Sequence, residues 1–190
     1  MPKSEKGFRW EREFSILLSK WWTGGIRDDV FWRTGGSGGR ATGRRKKGMA
    51  TYGQASDTFA CDPIGIPFTE TFACELKKGY SKSSPFDAMD KQDKHKPQVF
   101  QQWIAQSDKA RANSGARWWL IVFCRDKRKP MMAFSAKVLK SLPGGKALAK
   151  KRTMLMRIEE GLVVVCRLDE FLSCVTPAEI KTLHREPWGK

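Results

Sequence analysis

The stretch "TFACELKKGY", residues 71–80, begins as a half-buried strand and then changes character. Side chains alternate across a strand, so Phe72 and Cys74 take one face while Ala73, Glu75 and Lys77 take the other. The second face starts with a small residue and ends with a carboxylate and an ammonium two positions apart. On an exposed strand such a pair serves solubility alone. On an edge that meets a substrate, the same spacing sets an acid beside a cation for chemistry.

Composition narrows the choice. The chain has 190 residues, with eight Trp, eleven Phe and 40% hydrophobic content, which suits one globular domain with its own core. No run approaches the roughly 18 to 20 apolar residues that span a bilayer, and "MPKSEKGFRWER" has no apolar segment of a signal peptide. The expectation is a soluble, cytoplasmic protein without a membrane partner. Five cysteines, odd in number and without a Cys-x-x-Cys pair, argue against a disulfide scaffold or a structural zinc. Two histidines leave little room for a histidine-based mechanism.

Charge is the strongest global signal. Thirty-six Lys and Arg against twenty acids give a formal +16. Residues 125–152 hold ten basic side chains and one acid, and residues 33–47 hold six basic side chains and no acid. Such a field draws polyanions and supplies phosphate contacts that are independent of sequence. Nucleic acid is the expected partner.

The periodicity outlines an α/β domain with a mixed central sheet flanked by helices. Residues 8–22 read as an amphipathic helix through Trp10, Phe14, Leu17, Leu18 and Trp21, closed by glycine at "TGG". "DDVFWRT" is a short strand, followed by a glycine-rich basic loop at about 34–55, expected to be flexible. "DTFACDP" and "TETFACELKKGY" are read as two strands joined by the turn "PIGIPF". A polar, mobile segment is expected over 81–96, then a helix with Val99, Phe100, Trp103 and Ile104 on one stripe. "RWWLIVFCR" suits a central strand covered on both faces, "KPMMAFS" a neighbour, and "TMLMRI" with "LVVVCRL" a hairpin. "TPAE" has the capping-box spacing of a last helix.

On this outline Asp57 begins one strand of a hairpin, and Glu75 and Lys77 lie along its partner. Convergent carboxylates make a hard oxygen site for Mg²⁺ or Mn²⁺, and Lys77 can orient a water or offset growing negative charge. The first helix adds a further acid. Stepping about 100 degrees per residue from Phe14, Leu18 falls near 40 degrees, Trp21 near 340, Glu11 near 60 and Glu13 near 260. Glu11 therefore lies within the apolar stripe, where its charge needs a partner. That partner is either a metal ion or an arginine such as Arg33.

Taken together, "KGFRWERE" at 6–13, "RTGGSGG" at 33–39, Asp57 and "ELK" at 75–77 resemble the PD-(D/E)XK nuclease superfamily. More narrowly they are similar to the archaeal-type Holliday-junction resolvases, also found in phages. The resemblance implies a restriction-endonuclease-like core and a magnesium-dependent homodimer that makes paired cuts across a four-way DNA junction. Carried over, it makes Glu11, Asp57 and Glu75 metal-site acids, Lys77 the catalytic lysine and Ser37 the loop serine. Arg33, Ser37, Arg40, Arg44, Arg45, Lys46, Lys47 and Lys78 are the expected DNA contacts. The likeness covers about 6–78. Ser56 stands where a proline is usual, the loop before Asp57 and the span to Glu75 are long, and residues from about 136 onward do not align. Asp62, thirteen positions before Glu75, competes with Asp57, eighteen before it; strand-start geometry favours Asp57. Two other readings use the same residues: a nuclease of this superfamily acting on nicks, ends or restriction-type sites, and a non-catalytic basic DNA-binding protein.

Overall fold

The computed structural model describes residues 3–33, 59–79, 85, 98–158 and 161–185. The first element is helix α1, Lys3–Trp22. Trp10, Phe14, Leu18 and Trp22 recur every fourth residue and are buried, so one stripe of this helix faces the core. Leu17, expected in that stripe, is 40% exposed, because the buried row follows the four-residue spacing. Gly24 and Gly25 take left-handed backbone at φ 64° and 93°, and the Gly25 amide returns to the Lys20 carbonyl at 2.7 Å. Those contacts satisfy carbonyls at the helix end.

Strand β1, Phe31–Arg33, is fixed to this helix by a buried serine. The Phe31 amide donates to Ser19 Oγ at 2.9 Å, and that hydroxyl donates to the Ser15 carbonyl. Strand β2, Phe59–Cys61, pairs antiparallel with β1, Arg33 opposite Phe59 and Phe31 opposite Cys61. This corrects the expected hairpin: among the described residues β2 pairs with β1, not with the strand that carries Glu75. Between them lies a short 3₁₀ turn, Pro63–Gly65, and helix α2, Ile66–Thr71. Proline removes an amide donor where a ladder would need one. Helical geometry also lets Phe68 reach an edge-on aromatic group with Trp22 and Phe31, ring centroids 6.0 and 5.5 Å away. A side chain at Gly65 would meet the Phe31 ring at 2.8 Å, so any larger residue there would force the ring or the turn to shift.

Strand β3, Phe72–Lys78, opens a five-stranded mixed sheet in the order β3-β4-β5-β7-β6. The other strands are β4 (Trp118–Cys124), β5 (Met131–Ser135), β6 (Met154–Ile158) and β7 (Gly161–Arg167). Only β3 and β4 run parallel; the remaining pairs are antiparallel. A parallel pair needs a crossover, and helix α3, Val99–Ser114, lies between them in sequence and packs on both. Strand β4 is buried along nearly all its length, as its unbroken apolar sequence requires. The β6–β7 hairpin forms as expected.

Besides α2, three further short helices escaped the sequence reading: α4 (Ala136–Ser141), α5 (Gly145–Ala149) and α6 (Leu168–Cys174). Each is too short for a clear periodicity. The last helix, α7 (Pro177–Arg185), begins with the anticipated capping box. Glu179 accepts from the Thr176 amide at 2.8 Å, and Thr176 Oγ1 accepts from the Glu179 amide at 3.3 Å. Restriction-endonuclease-like architecture is thus present as an α/β body with a mixed sheet and flanking helices.

Candidate active site

Alternation on β3 separates its two faces as the sequence requires. Phe72, Cys74 and Leu76 are buried, and Phe72 lies 5.4 Å, ring to ring, from Phe68. Lys78 belongs to this face: its ammonium sits 5.1 Å from the Trp10 ring centre and 3.2 Å from Cys124 Sγ. Ala73, Glu75 and Lys77 take the face covered by α3.

There Lys77 Nζ donates to Glu75 Oε1 at 2.7 Å and to Gln106 Oε1 at 2.8 Å. Gln106 Nε2 in turn donates to the same carboxylate oxygen at 3.1 Å. The three side chains close a triangle between strand and helix. The Glu75 and Lys77 side chains are only 15% and 12% exposed, well short of a solvated ion pair. Both bonds to Glu75 fall on Oε1, and Oε2 has no hydrogen-bond partner among the described residues. The carboxylate oxygen of Glu75 is a hard anionic donor of the kind that a small divalent cation takes.

Gln106 was not anticipated. It lies three residues after Trp103 and seven after Val99, at the margin of the apolar stripe of α3. A polar residue at such a margin, facing a strand that carries an acid and a lysine, was the signal available. Trp103 and Trp119 are buried, with Trp103 5.8 Å from Phe123, in keeping with a core role.

Glu11 lies on the core side of α1 and Glu13 on its exposed side, as the helical angles require. Glu13 pairs with Arg9 at 2.7 Å, both well exposed. Glu11, 15% exposed, holds a short ion pair with Arg33 of β1. The Arg33 guanidinium also stacks over Phe8, 3.9 Å from the ring centre. Arg33, one of the partners considered for Glu11, is thus in contact with it. Arg12, Asp28, Asp29, Trp32 and Arg33 line a cleft of about 460 Å³ between α1 and β1.

Asp62 has a structural occupation. One carboxylate oxygen accepts from the Ile64 amide at 3.2 Å and caps the 3₁₀ turn, while the other pairs with Arg27 at 2.9 Å. Asp57, Ser37, Arg40, Arg44, Arg45, Lys46 and Lys47 lie outside the described residues, as does the 34–55 loop. Among the described residues no group of three or more His, Cys, Asp or Glu side chains is gathered to hold a metal. No described helix is long and apolar enough to cross a membrane.

Residues 2–182 match the family model described as "Phage putative PDDEXK endonuclease". No curated protein and no solved structure matches the chain. Because the match runs almost end to end, the chain belongs to this phage endonuclease family of the PD-(D/E)XK superfamily.

Proposed function

We propose that this endonuclease is magnesium-dependent and structure-selective, and that it resolves four-way DNA junctions as a twofold homodimer. The observation that carries the reading is the Glu75–Lys77–Gln106 triangle, held on the sheet edge of a chain with net charge +16. Glu75, with Asp57 and Glu11, would hold the cation. Once bound, such an ion supplies Lewis-acid polarisation of the phosphodiester and a more acidic water; Mn²⁺ is expected to substitute for Mg²⁺.

The side chains have separate tasks in this reading. Lys77, held between two oxygen acceptors, would offset charge developing on the scissile phosphate. Gln106 fixes the rotamers of both partners, so little reorganisation accompanies reaction. Arg33 and the basic residues at 40 and 44–47 bind phosphate backbone, with Ser37 and Lys78 as nearer contacts. Each chain has one Glu-x-Lys strand, and a four-way junction offers two symmetry-related strands. Two sites at a fixed spacing follow most simply from an isologous dimer.

The test is a synthetic four-way junction and a matched linear duplex, strand-labelled, incubated with Mg²⁺, Mn²⁺ or Ca²⁺. Paired cuts in opposing strands with Mg²⁺ or Mn²⁺, binding alone with Ca²⁺ and a dimeric mass by light scattering are expected. Equal cutting of linear duplex by a monomer defeats the resolvase reading and leaves the endonuclease family intact.

A further inference from the structure

The turn between β4 and β5 reads Arg125-Asp126-Lys127-Arg128-Lys129-Pro130. It has four cations and one acid within five residues, and Lys127, Arg128 and Lys129 are exposed. This is a folded turn. The Arg128 amide donates to the Arg125 carbonyl at 3.1 Å. Cys124 Sγ approaches the carbonyls of Arg125 and Arg128 at 3.5 and 3.4 Å, and the Pro130 carbonyl accepts from the Leu168 amide at 3.0 Å. Lys127 takes a left-handed backbone at φ 59°, which a residue with a Cβ adopts at some cost.

Fixing like charges side by side costs energy, and no carboxylate among the described residues forms an ion pair with Arg125, Lys127, Arg128 or Lys129. Asp169 is close enough to feel Lys129, yet it pairs with Arg167. A polyanion is the partner that would relieve this repulsion.

The sheet decides where the turn lies. Because β3 and β4 are parallel, their C-terminal ends meet at one edge: Lys77 is opposite Phe123, Lys78 is opposite Cys124, and the Gly79 amide donates to the Cys124 carbonyl at 3.1 Å. The cationic turn therefore starts one residue past the level of Lys78, on the adjacent strand. At about 3.3 Å per residue along a strand and about 4.8 Å between strands, its tip is on the order of 10 to 15 Å from Lys77. That is the length of about three or four base-pair steps at about 3.4 Å each.

We infer that this turn is a phosphate-gripping site, which holds the DNA backbone a few nucleotides from the Glu75–Lys77 pair through contacts independent of sequence. The inference rests on the proposed nuclease site only for the cut it serves; the binding itself stands on the turn. An internal control exists. Lys150, Lys151 and Arg152 are equally exposed but lead into β6, the opposite edge of the sheet, four strands away from β3.

The experiment compares two triple variants in the full chain, Lys127→Asn/Arg128→Gln/Lys129→Gln and Lys150→Gln/Lys151→Gln/Arg152→Gln. Asparagine at 127 tolerates the left-handed backbone. Binding to a fluorescent linear duplex is read by anisotropy over a salt series in EDTA, so that no cutting intervenes. The turn variant should flatten the log-log salt slope by about 2.7, from about 0.9 per lost phosphate contact, and weaken binding at least about tenfold at 0.1 M salt. The β6-edge variant should move the slope by less than about one. Equal slope changes in the two variants, or none in the turn variant, overturn the inference. With Mg²⁺, the turn variant should raise KM and leave kcat within about twofold. A wild-type chain that binds with this turn-dependent slope and never cuts would refute the catalytic reading while leaving the gripping site in place.

Discussion

Two acids in this molecule are equally buried, yet they reached their partners by different routes. Glu75 and Glu11 are each 15% exposed, and each is bonded to one cation. Glu75 meets Lys77 because residues two apart share a strand face, so the pair forms wherever that segment is a strand. Glu11 meets Arg33 across 22 residues, through the packing of β1 on α1 by Ser19. The strand pair is further clasped by Gln106, which accepts from Lys77 and donates to Glu75. Arg33 is instead sandwiched by a carboxylate and the Phe8 ring. The local pair leaves Glu75 Oε2 without a hydrogen-bond partner among the described residues, whereas the long-range pair ties β1 to α1.

The sharpest way to break this comparison is to remove the chemistry from the strand. Glu75→Gln and Lys77→Ala should each lower junction cleavage at least about a hundredfold, with DNA affinity nearly unchanged. Asp57→Asn should match them in the same cleavage assay. Asp62→Asn should keep activity and cost about 1 kcal/mol of stability in urea unfolding, because it weakens a cap and an ion pair. The reverse pattern would transfer the metal-site role to Asp62.

Next in size is the clasp. Gln106→Leu removes both contacts without charging the site, and cleavage should fall about tenfold with binding intact. Activity unchanged from wild type would make the glutamine a bystander.

The helix pair is tested by a double-mutant cycle. Glu11→Gln and Arg33→Gln, alone and together, should show a coupling of about 1 kcal/mol in unfolding without metal. If Glu11 also serves the cation, Mg²⁺ should reduce that coupling, and Glu11→Gln should lose far more turnover than Glu13→Gln. Small, equal losses for the two glutamates would leave Glu11 as a structural partner of Arg33 alone.

The smallest effect checks that these variants change chemistry rather than shape. Burial pushes the Cys74 thiol well above its ordinary range and the Cys166 thiol up to about 12. Both should resist iodoacetamide at pH 8 and react faster only as pH rises, because burial disfavours the thiolate. Cys74 occupies the apolar face of β3, back to back with Glu75. In Glu75→Gln its slow labelling should persist; rapid labelling would mean that the strand had opened.

The chain's sequence by itself determined most of the local structure: the first helix, the apolar β4, the β6–β7 hairpin, the capping box at Thr176 and the adjacency of Glu75 to Lys77. Each depends on a periodicity or a contact within a few residues, and those distances are short in any conformation of the segment. It also placed Glu11 on the buried side of α1, since helical angles need no tertiary information. Only the tertiary structure decided which strand β2 would pair with, because register and partner depend on how Phe31, Phe68 and Phe72 share one aromatic core. It likewise selected Gln106 and Arg33 as the groups facing the two acids, and brought the 125–129 turn to the edge of β3. Those juxtapositions join residues far apart in sequence, and closing such distances is a matter of packing that no local pattern encodes.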